Sequence, residues 1–424
     1  MLDRKGTFIM KNKILLAIAD GLGDRPCPSL DGKTPLQYAN TPHLDRLAEK
    51  GSCGIVDLYR AGVPVGTDFG HMILLGGYDL KDYPGRGPIE AFGEGVELLP
   101  GDVALRCNFA SVDGDFLVKD RRAGRIREGT GELARALNGL EIDGVQILFK
   151  EATEHRAVLV LRGEGLSDRI SDTDPKVEDH RINFARALDG SKEAAFTAEV
   201  LNQFLIRAHE ILGGHALNQK RLAAGQLAAN AILTRGAGKM PAIQKVTEAL
   251  HYTAACVAAE STVLGVARIA GFDVMTDSSF TGNLDTDVEK KAGMAVEALK
   301  DHDFVALHYK ATDLMGHDNR PSGKVQAIEK YDHMLACVEQ LIAAREDLGN
   351  VIIALAADHS TPCERREHSG DPVPVVISGV NIRRDAVLKY DEISCAAGAL
   401  CRMKGADFQA TLLDYLEVSP KQGN

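Results

Sequence analysis

Three short, mainly apolar segments of this 424-residue chain each run into an acidic residue. The segments and their acids are Ile14–Ala19 with Asp20, Phe304–Tyr309 with Asp313, and Val351–Ala357 with Asp358. Apolar runs of this length are typical of parallel strands, whose two faces are both buried. Because the carboxyl ends of parallel strands line one edge of an open sheet, we expect the three acids to converge at that edge.

Amphipathic segments alternate with these strands along the outer parts of the chain. This alternation predicts an α/β fold built on a doubly wound sheet. Thr41 and Pro42 are typical of a helix start, with an N-cap followed by a first-turn proline, and Gly51 is typical of a helix end. The further expected elements are a strand at Val373–Ser378 and helices at 42–49, 287–300 and 322–345.

The middle of the chain has shorter apolar runs, more charge and a long helical segment near 194–212. Strands are expected there at 103–109, 145–149 and 156–162. The Gly-rich segment 235–241 is expected to form a turn that leads out of this region. We therefore predict a discontinuous core of residues 1–100 and 243–424, interrupted by an inserted α/β domain of residues 101–242.

The composition of the chain argues against several classes of binding partner. The 60 acidic residues outnumber the 49 Lys and Arg, and the formal net charge of −11 argues against nucleic acid. No apolar run approaches the roughly 18 residues needed to cross a bilayer, and the first ten residues lack the apolar centre of a signal peptide. The eight cysteines include no CxxC pair, which argues against a zinc knuckle. We expect a cytoplasmic enzyme acting on a small molecule, with no nucleic-acid or membrane partner.

Histidines accompany the acids at the strand ends. Asp313 and His317 are four positions apart, close enough to meet on one helical turn. Asp and His ligands without Cys suit a divalent ion such as Mn²⁺, Zn²⁺ or Mg²⁺. The candidate ligands are Asp20, Thr67, Asp313, His317, Asp358, His359 and His368. They exceed one tetrahedral shell, so we predict two divalent metal ions, with Mn²⁺ as the first choice.

Thr67 is a candidate because it lies in the segment Val65–His71, a glycine turn that runs into an apolar helix. At the start of a helix, free backbone amides and the helix dipole favour an anion. A hydroxyl beside two metal ions also becomes a good nucleophile, because coordination lowers its pKa. The alternative is that Thr67 is only a helix N-cap. His71, one turn later, could face the same site.

Ten motifs between residues 20 and 374, within a match that runs from about residue 13 to about residue 415, point to one family. They are Asp20-Gly-Leu-Gly-Asp-Arg-Pro26, Gly32-Lys-Thr-Pro-Leu36, Gly85-Arg-Gly-Pro88, Asp120-Arg-Arg-Ala-Gly-Arg-Ile126, Glu154-His-Arg156, Ser171-Asp-Thr-Asp-Pro175, Arg235-Gly-Ala-Gly238, Lys310-Ala-Thr-Asp-Leu-Met-Gly-His317, Asp358-His-Ser-Thr-Pro-Cys363 and His368-Ser-Gly-Asp-Pro-Val-Pro374. Together they resemble the cofactor-independent phosphoglycerate mutases of archaeal type, within the alkaline phosphatase superfamily.

The resemblance implies an alkaline-phosphatase-like doubly wound sheet with an inserted domain, and an isomerase that interconverts 2- and 3-phosphoglycerate through a phosphoenzyme. It implies one ion held by Asp313, His317 and His368, and another held by Asp20, Asp358, His359 and the nucleophile's oxygen. Two positions depart from the family pattern. The nucleophile is usually Ser in a Gly-Ser-Asp context, where this chain has Gly66-Thr67-Asp68, and an expected Asp-Pro-His reads Asp174-Pro-Lys176.

Residues 119–127 carry five positive charges and one negative in an otherwise acidic chain. A charge run is most often a solvated surface. Guanidinium groups also bind phosphate and carboxylate in a bidentate manner, and phosphoglycerate offers one of each. The predicted substrate-binding residues are Arg121, Arg122, Arg125, His155, Arg156, Arg235 and Lys310, with Lys310 also a catalytic contact to the phosphoryl group. The histidines at 43, 180, 209, 215, 251, 302, 308 and 333 are expected to be ordinary surface or core residues.

Three functions fit these observations. The first is a phosphoglycerate mutase of glycolysis and gluconeogenesis, acting on a small anionic substrate. The second is a metal-dependent hydrolase of a small phosphate ester, diester or phosphonate, which Thr67 favours. The third is a metal- or metabolite-binding protein without turnover, which the full ligand set argues against. Because a mutase must keep water from its phosphoenzyme, an assay with 3-phosphoglycerate that follows both 2-phosphoglycerate and free phosphate separates the first two.

Overall fold

The computed structural model describes residues 11–423, so the first ten residues, on which the signal-peptide expectation rests, lie outside the described range. The strands in this range are β1 (Asn12–Ala19), β2 (Ser52–Asp57), β3 (Val103–Val112), β4 (Val118–Asp120), β5 (Glu141–Ile142), β6 (Val145–Glu151), β7 (Arg156–Arg162), β8 (Ala231–Lys239), β9 (Ala254–Val257), β10 (Asp273–Met275), β11 (Phe304–Tyr309), β12 (Asn350–Ala356), β13 (Val373–Ser378) and β14 (Cys401–Lys404).

The helices of the same range follow in chain order. They are α1 (Pro35–Tyr38), α2 (Pro42–Lys50), α3 (Thr67–Gly76), α4 (Arg86–Gly93), α5 (Thr130–Leu137), α6 (Lys192–Gly214), α7 (Ala216–Ala223), α8 (Val246–Leu250), α9 (Ser261–Ala270), α10 (Val288–Ala298), α11 (Ala311–His317), α12 (Pro321–Ala343), α13 (Glu392–Cys395) and α14 (Gly405–Tyr415), with short 3₁₀ turns at Pro28–Leu30, Leu80–Asp82 and Glu346–Leu348. None of these described helices has the length and apolar character needed to span a bilayer.

The described chain forms two compact units. One contains the described residues up to Tyr83 and from Gln244 onward, and the other contains Pro84–Ile243. The first unit holds an eight-stranded sheet with the order β10-β9-β11-β1-β12-β13-β2-β14, and the second a smaller sheet built on β3, β7 and β6. The protein is therefore of the mixed α/β class, as the sequence predicts.

Strand β1 lies between β11 and β12 in the first sheet and is parallel to both. Ala19 pairs with Tyr309 on one side, and Ile18 pairs with Ala356 on the other. Residues 14–19 are almost completely buried, as expected for a central strand covered on both faces. The three strands that precede the predicted acids are therefore neighbours, and their carboxyl ends lie side by side.

One strand of this sheet runs against the parallel pattern. The segment Val373–Ser378 forms β13 as expected, but it pairs antiparallel with both β12 and β2. Within the described chain, the segment that connects β12 to β13 contains no helix. A parallel return needs a long crossover, usually helical, whereas a loop can lead into an antiparallel strand. The apolar run predicts the strand but does not indicate its direction.

The helix predicted after Thr41 is α2, which begins at Pro42, although the Thr41 side chain makes no capping hydrogen bond. The helices expected in the later sequence are α10 and α12, and the long helix of the middle region is α6. Each of these helices buries one apolar face, which is the pattern from which they were predicted.

The predicted turn at 235–241 is wrong, because most of this segment belongs to β8. That strand pairs antiparallel with β3, with a register shift where Arg106 lies opposite Arg235. Its glycines allow a close approach: a Cβ at Gly238 would lie 2.2 Å from the carbonyl oxygen of Pro84. Glycines that usually indicate a turn here allow another segment to lie against the strand.

The boundary of the second unit lies at Pro84, nearer the N-terminus than the expected one at residue 100. Helix α4 causes this difference, because its Ala91 packs in a buried cluster with Ala104 and Val158 of the second sheet. A Cβ at Gly87 would lie 2.0 Å from the carbonyl oxygen of Ala104. The helix backbone therefore rests directly on the sheet of the second unit.

Candidate active site

The carboxyl ends of β1, β11 and β12 bring the predicted acids together in the first unit. Asp20 follows β1 directly, Asp358 follows β12 by two positions, and Asp313 lies in the first turn of α11. All three carboxylates are buried, with at most 3% of each residue exposed. The register of the sheet therefore positions the three acids at one edge.

The first group of potential ligands consists of Asp20, Asp358 and His359, whose ligand atoms lie within 4.8 Å of one another. Nε2 of His359 lies 3.4 Å from Oδ1 of Asp20 and 3.2 Å from Oδ2 of Asp358. The hydroxyl oxygen of Thr67 lies 3.2 Å from the same Nε2. The structure thus brings together the four residues that the family resemblance assigns to one ion.

A second group lies beside the first and consists of Asp313, His359 and His368, again within 4.8 Å. His317 adjoins it, with Nε2 3.4 Å from Oδ1 of Asp313 and 3.1 Å from Nε2 of His368. The rings of His359 and His368 stack with their centroids 3.6 Å apart. The Thr361 hydroxyl bridges Asp313 and the shared His359, because it lies 2.6 Å from Asp313 Oδ1 and 3.1 Å from His359 Nδ1.

Lys310 connects both groups through its ammonium. Nζ lies 2.9 Å from Oδ1 of Asp20, 2.6 Å from Oδ2 of Asp313 and 3.5 Å from the hydroxyl of Thr67. Burial alone would lower the pKa of Lys310, but Asp20 and Asp313 raise it above its ordinary value. Burial would likewise raise the pKa of Asp20, but Lys310 and His308 hold it well below its usual range. The lysine and the carboxylate are therefore both charged at neutral pH.

The donor set fits divalent metal ions. It consists of carboxylate oxygens and imidazole nitrogens without thiolate, which suits Mn²⁺, Zn²⁺ or Mg²⁺. Oδ2 of Asp358 is buried and accepts no hydrogen bond, and the Lys310 ammonium lies between two carboxylates as a cation would. Gly21 keeps the space open, since its φ is +61° and a Cβ there would lie 2.6 Å from Oδ1 of Asp313.

The hydroxyl of Thr67 faces this site from the start of α3. The N-cap of that helix is Gly66, so the alternative in which Thr67 is only the N-cap is wrong. The carbonyl oxygen of Thr67 accepts a hydrogen bond from Nδ1 of His71 at 2.8 Å, which fixes the first turn of the helix. The side chain is therefore available for the contacts with His359 and Lys310.

Two histidines outside the predicted ligand set also contact the acids of this site. His308, expected to be an ordinary residue, lies with Nε2 2.9 Å from Oδ2 of Asp20. His71, named only as a residue that could face the site, lies with Nδ1 3.3 Å from Oδ2 of Asp358. The signal for His308 was its place in an apolar strand, since a buried ionisable side chain needs a polar partner.

In the second unit, Asp174 organises two of the predicted substrate arginines. This buried carboxylate accepts from Nε and Nη2 of Arg121 at 2.9 and 2.7 Å, and Nε of Arg235 lies 3.2 Å away. Burial would raise the pKa of Asp174, but the arginines lower it, Arg121 most strongly. One carboxylate therefore holds two guanidinium groups in fixed positions.

The other predicted substrate residues of this unit are less constrained. Arg122, Arg125 and Arg156 are exposed, and Arg125 has a φ of +55° and lines a cavity of about 390 Å³. His155 is half-buried, and its pKa is lowered by burial and by the neighbouring Arg156. Lys176, where the family pattern has His, has an exposed side chain with Nζ 3.8 Å from Asp172.

Sequence reasoning missed a second arginine pair in this unit. Arg106 lies opposite Arg235 in the β3–β8 register. The carboxylate of Glu90 binds Nε of Arg106 at 2.9 Å and Nε of Arg86 at 2.7 Å. The signal in the sequence was the motif Gly85-Arg-Gly-Pro88, in which Arg86 supplies a further positive charge. The predicted metal ligands thus lie in the first unit, and two arginine pairs, each joined by one carboxylate, lie in the second.

Comparison with known proteins identifies the same family that the sequence motifs resemble. Residues 48–218 match the family model described as 2,3-bisphosphoglycerate-independent phosphoglycerate mutase. The chain is 44% identical over 417 residues to 2,3-bisphosphoglycerate-independent phosphoglycerate mutase 1 of Methanothermobacter thermautotrophicus, covering 97% of this chain and 100% of that protein. It is 46% identical over 415 residues to the protein of the same description from Archaeoglobus fulgidus, with coverage of 97% and 99%.

Two solved structures are similar over nearly the whole chain. The PH0037 protein from Pyrococcus horikoshii has a TM-score of 0.81 and 37% identity, covering 98% of this chain and 100% of that chain. The cofactor-independent phosphoglycerate mutase from Thermoplasma acidophilum has a TM-score of 0.72 and 35% identity, covering 96% and 100%. The similarity therefore extends over the residues of both units.

Proposed function

The chain belongs to the family of 2,3-bisphosphoglycerate-independent phosphoglycerate mutases, which are isomerases, and from that premise we propose that it interconverts 2- and 3-phosphoglycerate through a phosphoenzyme on Thr67. The observation that carries the proposal is the position of the Thr67 hydroxyl, 3.2 Å from His359 and 3.5 Å from the Lys310 ammonium. A hydroxyl so close to a cation and a ligand group suits a phosphoryl acceptor.

Two divalent ions complete this site, with Mn²⁺ as the first choice. Their proposed ligands are Asp20, Thr67, Asp358 and His359 for one ion, and Asp313, His317 and His368 for the other. When bound, such ions stabilise charge on the transferring phosphoryl oxygens and favour ionisation of a nearby hydroxyl. His359 belongs to both groups of potential ligands, and the ligand atoms of each group lie within 4.8 Å of one another. This arrangement supports two neighbouring ions.

The Thr67 oxygen carries the phosphoryl group between two positions of the substrate. It forms a bond to phosphorus as the bond from phosphorus to O3 of 3-phosphoglycerate breaks, and O3 takes up the proton that the hydroxyl loses. O2 of the retained glycerate then attacks the phosphothreonine, and its proton returns to the Thr67 oxygen. Lys310 contacts the phosphoryl oxygens as a fixed positive charge during both transfers.

Arginines of the second unit bind the anionic groups of the substrate in this proposal. They include Arg121, Arg122, Arg125, Arg156 and Arg235, together with His155. The fixed geometry that Asp174 imposes on two of these guanidinium groups supports this role, since preorganised donors lose little freedom on binding. Glycerate held in this way can reorient and be phosphorylated again instead of dissociating.

Hydrolysis of a small phosphate ester is the second candidate, and one observation favours it: Thr67 stands where the family usually has Ser. The additional methyl group restricts χ1 of the side chain and crowds the line of attack. A phosphothreonine that is open to water would release inorganic phosphate instead of returning it to glycerate.

The deciding experiment incubates the full-length, Mn²⁺-loaded protein with 3-phosphoglycerate and follows 2-phosphoglycerate and inorganic phosphate together by ³¹P NMR. We expect 2-phosphoglycerate to reach equilibrium with 3-phosphoglycerate while little phosphate accumulates. Acid-quenched protein should contain a peptide with Thr67 that has gained one phosphoryl group. Release of phosphate without 2-phosphoglycerate would favour the hydrolase.

A further inference from the structure

Each carboxylate of the first ligand group is contacted by a buried imidazole in addition to His359. In Asp20, Oδ1 faces Lys310 and His359, whereas Oδ2 is contacted by Nε2 of His308 at 2.9 Å. In Asp358, Oδ1 accepts a hydrogen bond from the Gly21 amide, and Oδ2 lies 3.3 Å from Nδ1 of His71. The two additional histidines thus contact ligand oxygens while they stand outside the predicted ligand set.

Among the described residues, the His308 ring makes no other hydrogen bond, whereas Nδ1 of His71 also donates to the carbonyl oxygen of Thr67 at 2.8 Å. His308 and His71 are completely buried, in β11 and α3. The remaining nitrogen of each ring, Nδ1 of His308 and Nε2 of His71, makes no hydrogen bond, and the two rings meet edge to face at 5.1 Å. A buried, unsatisfied polar atom costs about 1–3 kcal/mol, so an apolar side chain would suit this core better.

We propose that His308 and His71 are positioning residues that orient the carboxylates of Asp20 and Asp358 and thereby set the affinity of one metal position. This inference rests on the proposed function, which assigns that position to Asp20, Asp358 and His359. Partners that hydrogen-bond ligating groups fix their orientation, and their loss typically weakens metal binding about 10- to 100-fold.

The second metal position has a different support, which makes the effect selective. Oδ1 of Asp313 is contacted by the hydroxyl of Thr361 at 2.6 Å. His308 and His71 have no described contact with Asp313, His317 or His368. Loss of either imidazole should therefore weaken one ion and leave the other in place, which a general loss of stability would not do.

The test is a Mn²⁺ titration of the full-length, metal-free protein, with free Mn²⁺ measured by electron paramagnetic resonance. His308→Leu and His71→Leu remove the donor and keep an apolar side chain of similar size. His308→Gln and His71→Asn keep a donor near Nε2 and Nδ1, respectively, and should rescue binding. His302→Leu is the matched control, since His302 is also a buried histidine, with Nε2 3.1 Å from the carboxylate of Asp273.

We expect two ions in the wild type, and one ion weakened about 10- to 100-fold in both leucine variants. The rescue variants and His302→Leu should bind two Mn²⁺ ions with the affinities of the wild type. The three leucine variants, at positions 308, 71 and 302, should have similar thermal midpoints when metal-free. If His308→Leu fails to fold, the His71 pair makes the same comparison. Equal weakening of both ions, unchanged binding in both leucine variants, or a third ion bound by Asp20, His71 and His308 would overturn the proposal.

The titration contains no substrate, so it separates this inference from the proposed activity. A protein that binds two ions, loses one selectively with His308→Leu and still produces no 2-phosphoglycerate would support the positioning role and contradict the mutase. A protein that produces 2-phosphoglycerate and binds both ions equally well in every variant would support the mutase and contradict the positioning role.

Discussion

The hydroxyl oxygen of Thr67 lies 3.2 Å from Nε2 of His359, the imidazole that belongs to both groups of potential metal ligands. Thr67 comes from the first turn of α3, whereas His359 follows β12 almost three hundred residues later in the chain. The proposed phosphoryl acceptor is therefore positioned where the two groups meet.

Thr67→Ala should abolish turnover, because it removes the oxygen that carries the phosphoryl group. Thr67→Ser keeps this oxygen, and we expect mutase activity equal to or above that of the wild type. The assay is the rate of 2-phosphoglycerate formation, with Thr247→Ser as the control, since the Thr247 hydroxyl donates to the Gly271 carbonyl at 3.1 Å. A site adapted to threonine for hydrolysis would instead slow in Thr67→Ser, since misplacement by about 1 Å can cost about 100-fold in rate. Mutase activity in Thr67→Ala would contradict the covalent mechanism.

Removal of divalent ions with a chelator should abolish activity, and Mn²⁺ should restore it. An ion that binds only the folded chain stabilises it by about 2.7 kcal/mol at a concentration 100 times its Kd. The thermal midpoint should therefore fall on chelation and recover with Mn²⁺. Full turnover by protein that elemental analysis shows to be metal-free would refute the metal requirement.

Asp174→Asn should raise KM for 3-phosphoglycerate about tenfold or more, because Arg121 and Arg235 lose the charge that holds them. The metal content should not change. Asp102→Asn is the matched control in the same unit, since buried Asp102 binds Arg162 at 2.7 Å in a similar pair. Equal effects of the two substitutions on KM would indicate a structural role for Asp174.

Lys324→Met should lower the free energy of unfolding by about 3–5 kcal/mol, because it leaves a buried carboxylate without its partner. Lys324 is fully buried, and its ammonium lies 2.8 Å from Asp24 and 2.9 Å from the carbonyl oxygen of Thr361. Lys330→Met, on the same helix and with one bond to a carbonyl, should cost about 1 kcal/mol. Thermal unfolding measures both, and Lys324→Met combined with Asp24→Asn should recover part of the loss.

Glu392 should make stability fall as pH rises from about 4.5 to about 7. Burial raises the pKa of its carboxyl to about 7, although hydrogen bonds from the Thr34 hydroxyl and the Asp24 amide oppose the shift. In this range the native chain keeps a proton that the unfolded chain has lost, so the free energy of unfolding decreases. Glu392→Gln removes this dependence. The thermal midpoint of the variant minus that of the wild type should therefore increase from pH 5 to pH 8. Glu248→Gln, at an exposed position, should not.

The central part of the fold was predictable because burial leaves a clear pattern. Strands covered on both faces are apolar throughout, so β1, β11 and β12 could be placed, and their adjacent carboxyl ends account for Asp20 and Asp358. Other features depend on contacts that leave no local pattern. The direction of β13 depends on the loop before it, and β8 resembles a turn because its glycines accommodate a neighbouring segment.

The same limit applies to side chains. The charge run predicted an anion site, but no pattern indicated that Asp174 would hold Arg121, since the two are 53 positions apart. His308 lies among apolar neighbours in its own strand, and its partner Asp20 directly follows a different strand, so no local pattern predicts their contact. Pairs formed across a sheet become evident only when the register is known.

The place of β1 in the sheet also sets a timescale for synthesis. This strand is made early, whereas its partners β11 and β12 are made late, and His308 follows Asp20 by 288 positions. At about 5–20 residues per second, a ribosome needs about 15–60 s to cover that distance. The second unit is continuous in sequence and can complete its sheet within that interval, while β1 still lacks both partners. During that interval the nascent chain carries an apolar strand with two unpaired edges, which is the kind of segment that favours aggregation before β11 and β12 emerge.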